Sequence, residues 1–201
     1  MKTNKWRKLI VLFAAAVILS FSGCGDDFFF VGGAIELNNQ SDVAIDGFHL
    51  APVDQTSWGP DLLSVLDPDD YVIFGGIHPD DYDVKIRASG EFSDYFSYVY
   101  NLSVYEGDYI VLNVYNESFT GSLEIRNGAS ASITGVYVVS ASASTWGANQ
   151  ASSDIGPSET FHLTDLDPGL YDIRIVWDSG PDSFYYDRNI ESLTLTILNV
   201  D

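Results

Sequence analysis

"HPDDYDVKIR" at residues 78–87 and "DPGLYDIRI" at 167–175 are nearly the same phrase, written twice in one chain of 201 residues. Setting residue 33 onward beneath residue 121 onward extends the match at an offset of 88: "GAIELNN" falls on "GSLEIRN", "IDGFHL" on "ITGVYV", and "TSWG" on "STWG". One added residue in the second copy moves the offset to 89, where "LDPDDYVIF" meets "IGPSETFHL" and the two opening phrases meet each other. Asn113-Val114 then falls on Asn199-Val200 at an offset of 86. The chain is a tandem duplication of a unit of about 80 residues, and the phrase marks the same place in both copies.

Within the phrase the period is two. Tyr82, Val84 and Ile86 alternate with Asp83, Lys85 and Arg87, and Tyr171, Ile173 and Ile175 with Asp172 and Arg174. That is the pattern of a strand with one buried and one solvated face, whose charges pair across strands. Similar runs place strands at 34–38, 43–50, 71–74, 82–88, 95–102 and 109–115 in the first copy. The second copy gives 122–126, 132–140, 160–163, 171–176, 184–190 and 193–199. Asn, Gly, Ser and Pro turns separate them, as at Ser89-Gly90, Asn127-Gly128 and Ser179-Gly180-Pro181. Beyond the N-terminal segment no stretch has the period of a helix. The expected fold is all-β, two tandem antiparallel β-sandwich domains, at 33–116 and 117–201.

Residues 1–23 read as an export signal. Lys2, Lys5, Arg7 and Lys8 precede an apolar run from Leu9 to Leu19, too short for the roughly 20 residues that cross a bilayer. Phe21-Ser22-Gly23-Cys24 follows, and it resembles the lipobox of bacterial lipoproteins, with Phe21 where that family usually has Leu. The resemblance implies that Cys24, the single cysteine of the chain, carries the lipid and that 24–32 is an anchored linker. It implies attachment to a membrane through several acyl chains such as palmitate, each buried methylene contributing about 0.8 kcal/mol. By the same likeness, Gly25 in place of an inner-membrane-retaining Asp points to the outer membrane of a Gram-negative envelope, and Asp26-Asp27 is similar to the acidic stretches of surface-exported lipoproteins. Phe28-Phe29-Phe30 reads either as an added edge strand or as a headgroup contact beside the anchor.

Four of the nine basic residues and none of the 29 acidic ones lie in the signal, so five against 29 remain, a net charge of −24. Such a surface repels nucleic-acid phosphates and excludes nucleic acid as a partner class.

The phrase "LDPGLYDIRI" at 166–175 resembles the proline–glycine turn and strand of transthyretin-like and Cna-B-like sandwiches of bacterial surface proteins. With Trp-Gly at 58–59 and 146–147, both copies are similar to repeats of secreted bacterial proteins that join a "WG" loop to a "PG-x-Y-D-(I/V/L)-R" strand. The resemblance implies a fold and an extracytoplasmic location, and no reaction. The first copy lacks the glycine of that turn.

Chemistry-bearing motifs are scarce. His49, His78 and His162 face Tyr137, Asp167 and Ile73 in the alignment, so no histidine is duplicated, and neither a nucleophile elbow, a phosphate loop nor a zinc motif occurs. No catalytic residue, cofactor or metal is expected. Asp61, Asp67, Asp69, Asp70, Asp80, Asp81 and Asp83 crowd the loops of copy one, but without EF-hand spacing, and copy two replaces Asp67–Asp70 by Gly156, Pro157, Ser158 and Glu159. Trp58 and Trp146 are the sharpest repeated signature outside the strands. They either plug one end of each sandwich or form a platform on which sugar rings stack. In "YFSYVY" at 95–100, Phe96, Tyr98 and Tyr100 share one face, again as core or as an aromatic strip. The expected role is a lipid-anchored cell-envelope protein with a non-catalytic binding, adhesion or structural function, facing an envelope protein or glycan. The alternative is a carbohydrate-binding accessory lipoprotein.

Overall fold

The computed structural model describes the backbone of Ile10–Phe13 and residues 32–90 and 93–201. Cys24 and Phe28-Phe29-Phe30 lie outside the described residues. The chain divides into two compact units, Met1–Ala88 with Ser97–Asn116, and Ser89–Phe96 with Glu117–Asp201.

Within the segment read as an export signal lies β1 (Ile10–Phe13), and the strands of the first copy are β2 (Gly33–Asn39), β3 (Gly47–Pro52), β4 (Tyr71–Ile77), β5 (Asp80–Ser89), β6 (Asp94–Val104) and β7 (Tyr109–Val114). A 3-10 turn at Asn116–Ser118 precedes β8 (Gly121–Asn127), β9 (Ile133–Ser140), β10 (Thr160–Leu166), β11 (Gly169–Trp177), β12 (Ser183–Ile190) and β13 (Leu195–Val200). One sheet has the order β1-β4-β2-β7 and its companion β3-β5-β6; the second copy repeats β4-β2-β7 as β10-β8-β13 and β3-β5-β6 as β9-β11-β12, with no counterpart of β1. Each copy is a two-sheet sandwich, and the chain is all-β.

The alternation read from the sequence is the alternation of burial. Tyr82, Val84, Ile86 and Ala88 point inward from β5 while Asp83, Lys85 and Arg87 are half-buried on the other side. Ile35, Leu37, Phe48, Phe74 and Val84 fill the first core, where the Phe48 and Phe74 rings stack with centroids 4.4 Å apart. Leu123, Ile125, Ile133, Val136, Ile173 and Ile175 are the fully buried centre of the second. Ile35, Leu37, Phe48 and Val84 align with Leu123, Ile125, Val136 and Ile173, and the buried Ile45 and Ile86 with Ile133 and Ile175, so the duplication is a duplication of the core. Residue 45 marks one departure. The expected strand at 43–50 begins only at Gly47, because Ile45 turns aside to bridge Leu66.

The expectation of purely antiparallel sheets is corrected. β2 pairs with β7, and β8 with β13, in parallel and without a register break. Period-two alternation is the same in either direction, so it cannot encode polarity. Parallel neighbours need a long crossover, and here all the intervening strands of the unit supply it.

Two buried asparagines close the ends of β2 and β8. Asn39 donates to the carbonyls of Val43 (2.8 Å) and Leu66 (3.1 Å) and accepts from the Ser41 amide (3.1 Å). Asn127 donates to Ala131 (2.9 Å), Ile155 (3.0 Å) and Gly156 (3.1 Å) and accepts from the Ala129 amide (3.0 Å). The phenol of Tyr82 donates to the His78 carbonyl, and that of Tyr171 to the Asp167 carbonyl, each at 2.9 Å. Both pins fasten the proline turn to the strand of the repeated phrase. Burial, reinforced by Asp80 and Asp167 respectively, raises the pKa of both phenols.

Candidate functional site: an aromatic row in each copy

The loop between β3 and β4 is held along the outer edge of β3. Asp61 accepts the amides of Phe48 (3.0 Å) and Leu63 (3.1 Å), and the Leu62 amide donates to the Phe48 carbonyl (2.8 Å). Asn149 does the same in the second copy, accepting from Val136 (2.8 Å) and Ala151 (3.1 Å). Gly59 and Gly147 turn each loop with φ of 69° and 65°, values that favour glycine. The loop thereby sets its tryptophan against the outer face of the second sheet.

There the indole meets side chains that alternate outward from the neighbouring strand. Trp58 lies 5.6 Å from the Tyr98 ring, and Tyr98 stacks on Tyr100 at 5.8 Å with planes 8° apart. Trp146 lies 5.7 Å from Phe184, and Phe184 stacks on Tyr186 at 6.2 Å with planes 7° apart. These separations are those of favourable aromatic pairs. Both indoles are half-buried; the far ends of the rows, Tyr100 and Tyr186, are 60% and 59% exposed. The indoles therefore contribute to an outer face of each unit rather than to its interior.

Charges flank the rows. Lys85 Nζ stands 5.8 Å from the Trp58 ring centroid. Its counterpart Arg174 lies over Tyr137 at 5.2 Å and pairs with Asp182 at 2.6 Å. Arg87 pairs with Asp46 at 3.1 Å and Asp61 at 3.6 Å. The cations of the repeated phrase thus pack on rings and join carboxylates, as its alternation predicts. Each row offers apolar ring faces beside charged groups, which suits an amphipathic ligand.

The other chemistry-bearing groups are dispersed. Among the described residues no three His, Cys, Asp or Glu side chains are grouped to hold a metal ion. The acids of copy one act on the backbone and on a neighbouring hydroxyl: Asp80 accepts the Asp81 amide (2.8 Å), Asp81 the Ser103 hydroxyl (2.6 Å) and Asp83 the Asn101 amide (3.0 Å). His49 approaches Asp61 at 3.9 Å, and His162 approaches the nearly buried Glu124 at 3.5 Å. A hollow of about 250 Å³ beside Trp177 in the second unit is lined by one titratable residue, Asp201.

Trp58 and Trp146 were visible in the sequence, as was the Tyr98–Tyr100 strip. Phe184 and Tyr186 were not singled out, although the offset of 86 that aligns the C-terminal strands lays Tyr98 on Phe184 and Tyr100 on Tyr186.

No family model matches the chain, and no curated protein matches it. Among solved structures, similarity is found to the Bacillus anthracis TIE protein, at 12% identity and a TM-score of 0.30, over 85% of this chain and 33% of that one. The minor pilin of Streptococcus agalactiae gives 10% and 0.30, over 84% of this chain and 94% of the pilin. A streptococcal ancillary pilin gives 10% and 0.31, over 84% of this chain and 62% of the pilin. The chain spans about a third of the length of the first. The fold assignment rests on the strand order itself.

Proposed function

We propose that this is a lipid-anchored cell-envelope protein, held to the membrane through Cys24, whose two sandwich units present a non-catalytic binding or adhesion surface. The observation that carries the reading is the duplicated aromatic row. Trp58/Trp146, Tyr98/Phe184 and Tyr100/Tyr186 are aromatic in both copies and lie on an outer face. The half-exposure of both indoles favours a sugar ring as the bound group, since ring C–H faces stack on aromatic faces while hydroxyls meet the flanking charges. An outer-membrane, surface-facing location fits such a role.

Two measurements test it. Palmitate labelling of the wild type beside Cys24→Ala, with protease shaving of intact cells, tests the anchor and its side of the membrane. Labelled, shaved wild type and unlabelled variant are expected; absence of label removes the anchor. Glycan-array binding of the wild type and of Trp58→Ala/Trp146→Ala tests the rows. Retained binding in the double variant would remove them from the site.

A further inference from the structure

Every sandwich leaves strand edges whose unpaired N–H and C=O groups can recruit another strand, and folded proteins ordinarily blunt them. With β1 set aside as part of the segment read as an export signal, the described residues leave eight edge positions, β3, β4, β6, β7, β9, β10, β12 and β13, and six of them are blunted. β3 and β9 are covered by the loops that Asp61 and Asn149 hold in place. β6 and β12 are kinked at Asn101 and Asp187, which adopt φ of 56° and 51°. β4 and β10 are broken by bulges at Gly76 (φ 74°) and Asp165 (φ 64°), and β1 lies beside β4.

Among the described residues the remaining two have none of these devices. β7, "YIVLNV", and β13, "LTILNV", contain no charge, proline or glycine, keep an unbroken register with their single partners β2 and β8, and occupy the sheet edge in both copies. Their outward side chains are open: Tyr109 is 55% exposed, and Val111 and Ile197 are each 45% exposed. Short uncharged segments of high β-propensity are those that pair most readily with their own kind.

We propose that β7 and β13 are self-association edges that take the matching edge of a second copy of this chain. Three observations identify that occupant. The two strands are nearly the same sequence, so each chain carries two equivalent edges. Antiparallel apposition is self-complementary, laying Val111 against Val111 or Ile197 with Tyr109 or Leu195 opposite an asparagine, Asn113 or Asn199. In a chain with 29 acidic and nine basic residues, these uncharged strips are also where two copies meet without opposing carboxylates. Pairing of β7 with β7 leaves the β13 edge of each copy free for a further copy, and β7 against β13 of the next copy likewise leaves one edge open at each end, so either pairing can continue as a chain of molecules.

The test is sedimentation equilibrium of the full chain carrying Cys24→Ala, at rising concentration, in about 50 mM and about 500 mM salt. Mass increasing with concentration, and more so at high salt where acidic self-repulsion is screened, is expected. Val111→Lys/Ile197→Lys places cations on solvent-facing positions of both edges and should stay monomeric while retaining the parent's circular dichroism. Hydrogen exchange on the parent supplies a readout independent of that variant. Amides of β7 and β13 should slow by about tenfold or more on concentration. A parent that is monomeric throughout, a double variant that associates like its parent, or edge amides unaffected by concentration would each overturn the proposal.

Discussion

The Asp83 carboxylate accepts the backbone amide of Asn101 at 3.0 Å, and Asp172 accepts that of Asp187 at the same distance. Asn101 and Asp187 are the left-handed residues that bulge β6 and β12 beside Tyr100 and Tyr186, so one acid on the repeated strand holds the bend at the end of each aromatic row. Asp83→Ala and Asp172→Ala should each lower unfolding stability by about 1–2 kcal/mol, read by urea titration, through loss of a charge-assisted bond. Asp83→Asn keeps an accepting oxygen and should lose less.

Asn39 and Asn127 are fully buried, and each adds a side-chain donor to a bridge carbonyl, Leu66 or Ile155, that also accepts the amide of Ile45 or Ile133. Asn127→Ala should cost about 1–3 kcal/mol by taking their side-chain partner from the Ala131 carbonyl and the Ala129 amide, while Ile155 and Gly156 keep the backbone amides of Ile133 and Glu159. Asn127→Asp tests the role of the amide protons. It presents an acceptor to the carbonyls of Ala131, Ile155 and Gly156, and its midpoint should also fall.

Gly33 and Gly121 open β2 and β8 where another strand passes too close for a side chain. A Cβ on Gly33 would stand 2.9 Å from the Tyr105 carbonyl oxygen, and one on Gly121 still nearer that of Glu191. Gly33→Ala and Gly121→Ala should each destabilise by roughly 1–3 kcal/mol, the ordinary cost of overpacking, measured as a lowered denaturation midpoint.

The Tyr109 phenol donates to the Glu36 carboxylate, and that bond pushes its pKa up to about 12. Spectrophotometric titration should show a set of late-ionising phenols that loses one member in Tyr109→Phe. Because the folded pKa lies above the ordinary 10.0, the stabilisation is complete below about pH 10 and is lost as pH rises towards 12. Tyr82 and Tyr171 carry the same sign, so alkaline unfolding of Tyr82→Phe/Tyr171→Phe should depend less steeply on pH than that of the parent.

The sequence made the strands legible because their burial has a period of two and because each was written twice. It located Trp58 and Trp146 for the same reason. Polarity was not legible, since β7 and β13 alternate alike whichever way they run beside β2 and β8. The capping residues were harder still. Asn39 and Asn127 end "GAIELNN" and "GSLEIRN" as ordinary turn asparagines, and only the fold shows carbonyls 27 and 28 residues away converging on them. Asp61 and Asn149 perform one task with different charges, which an alignment of residue types passes over.

The parallel pairing of first and last strand has a mechanical consequence. Each sandwich receives the chain at the start of β2 or β8 and releases it at the end of β7 or β13, on adjacent strands pointing the same way. Tension between those two points draws the neighbours past one another along their length, so their ladder must yield together instead of opening one rung at a time.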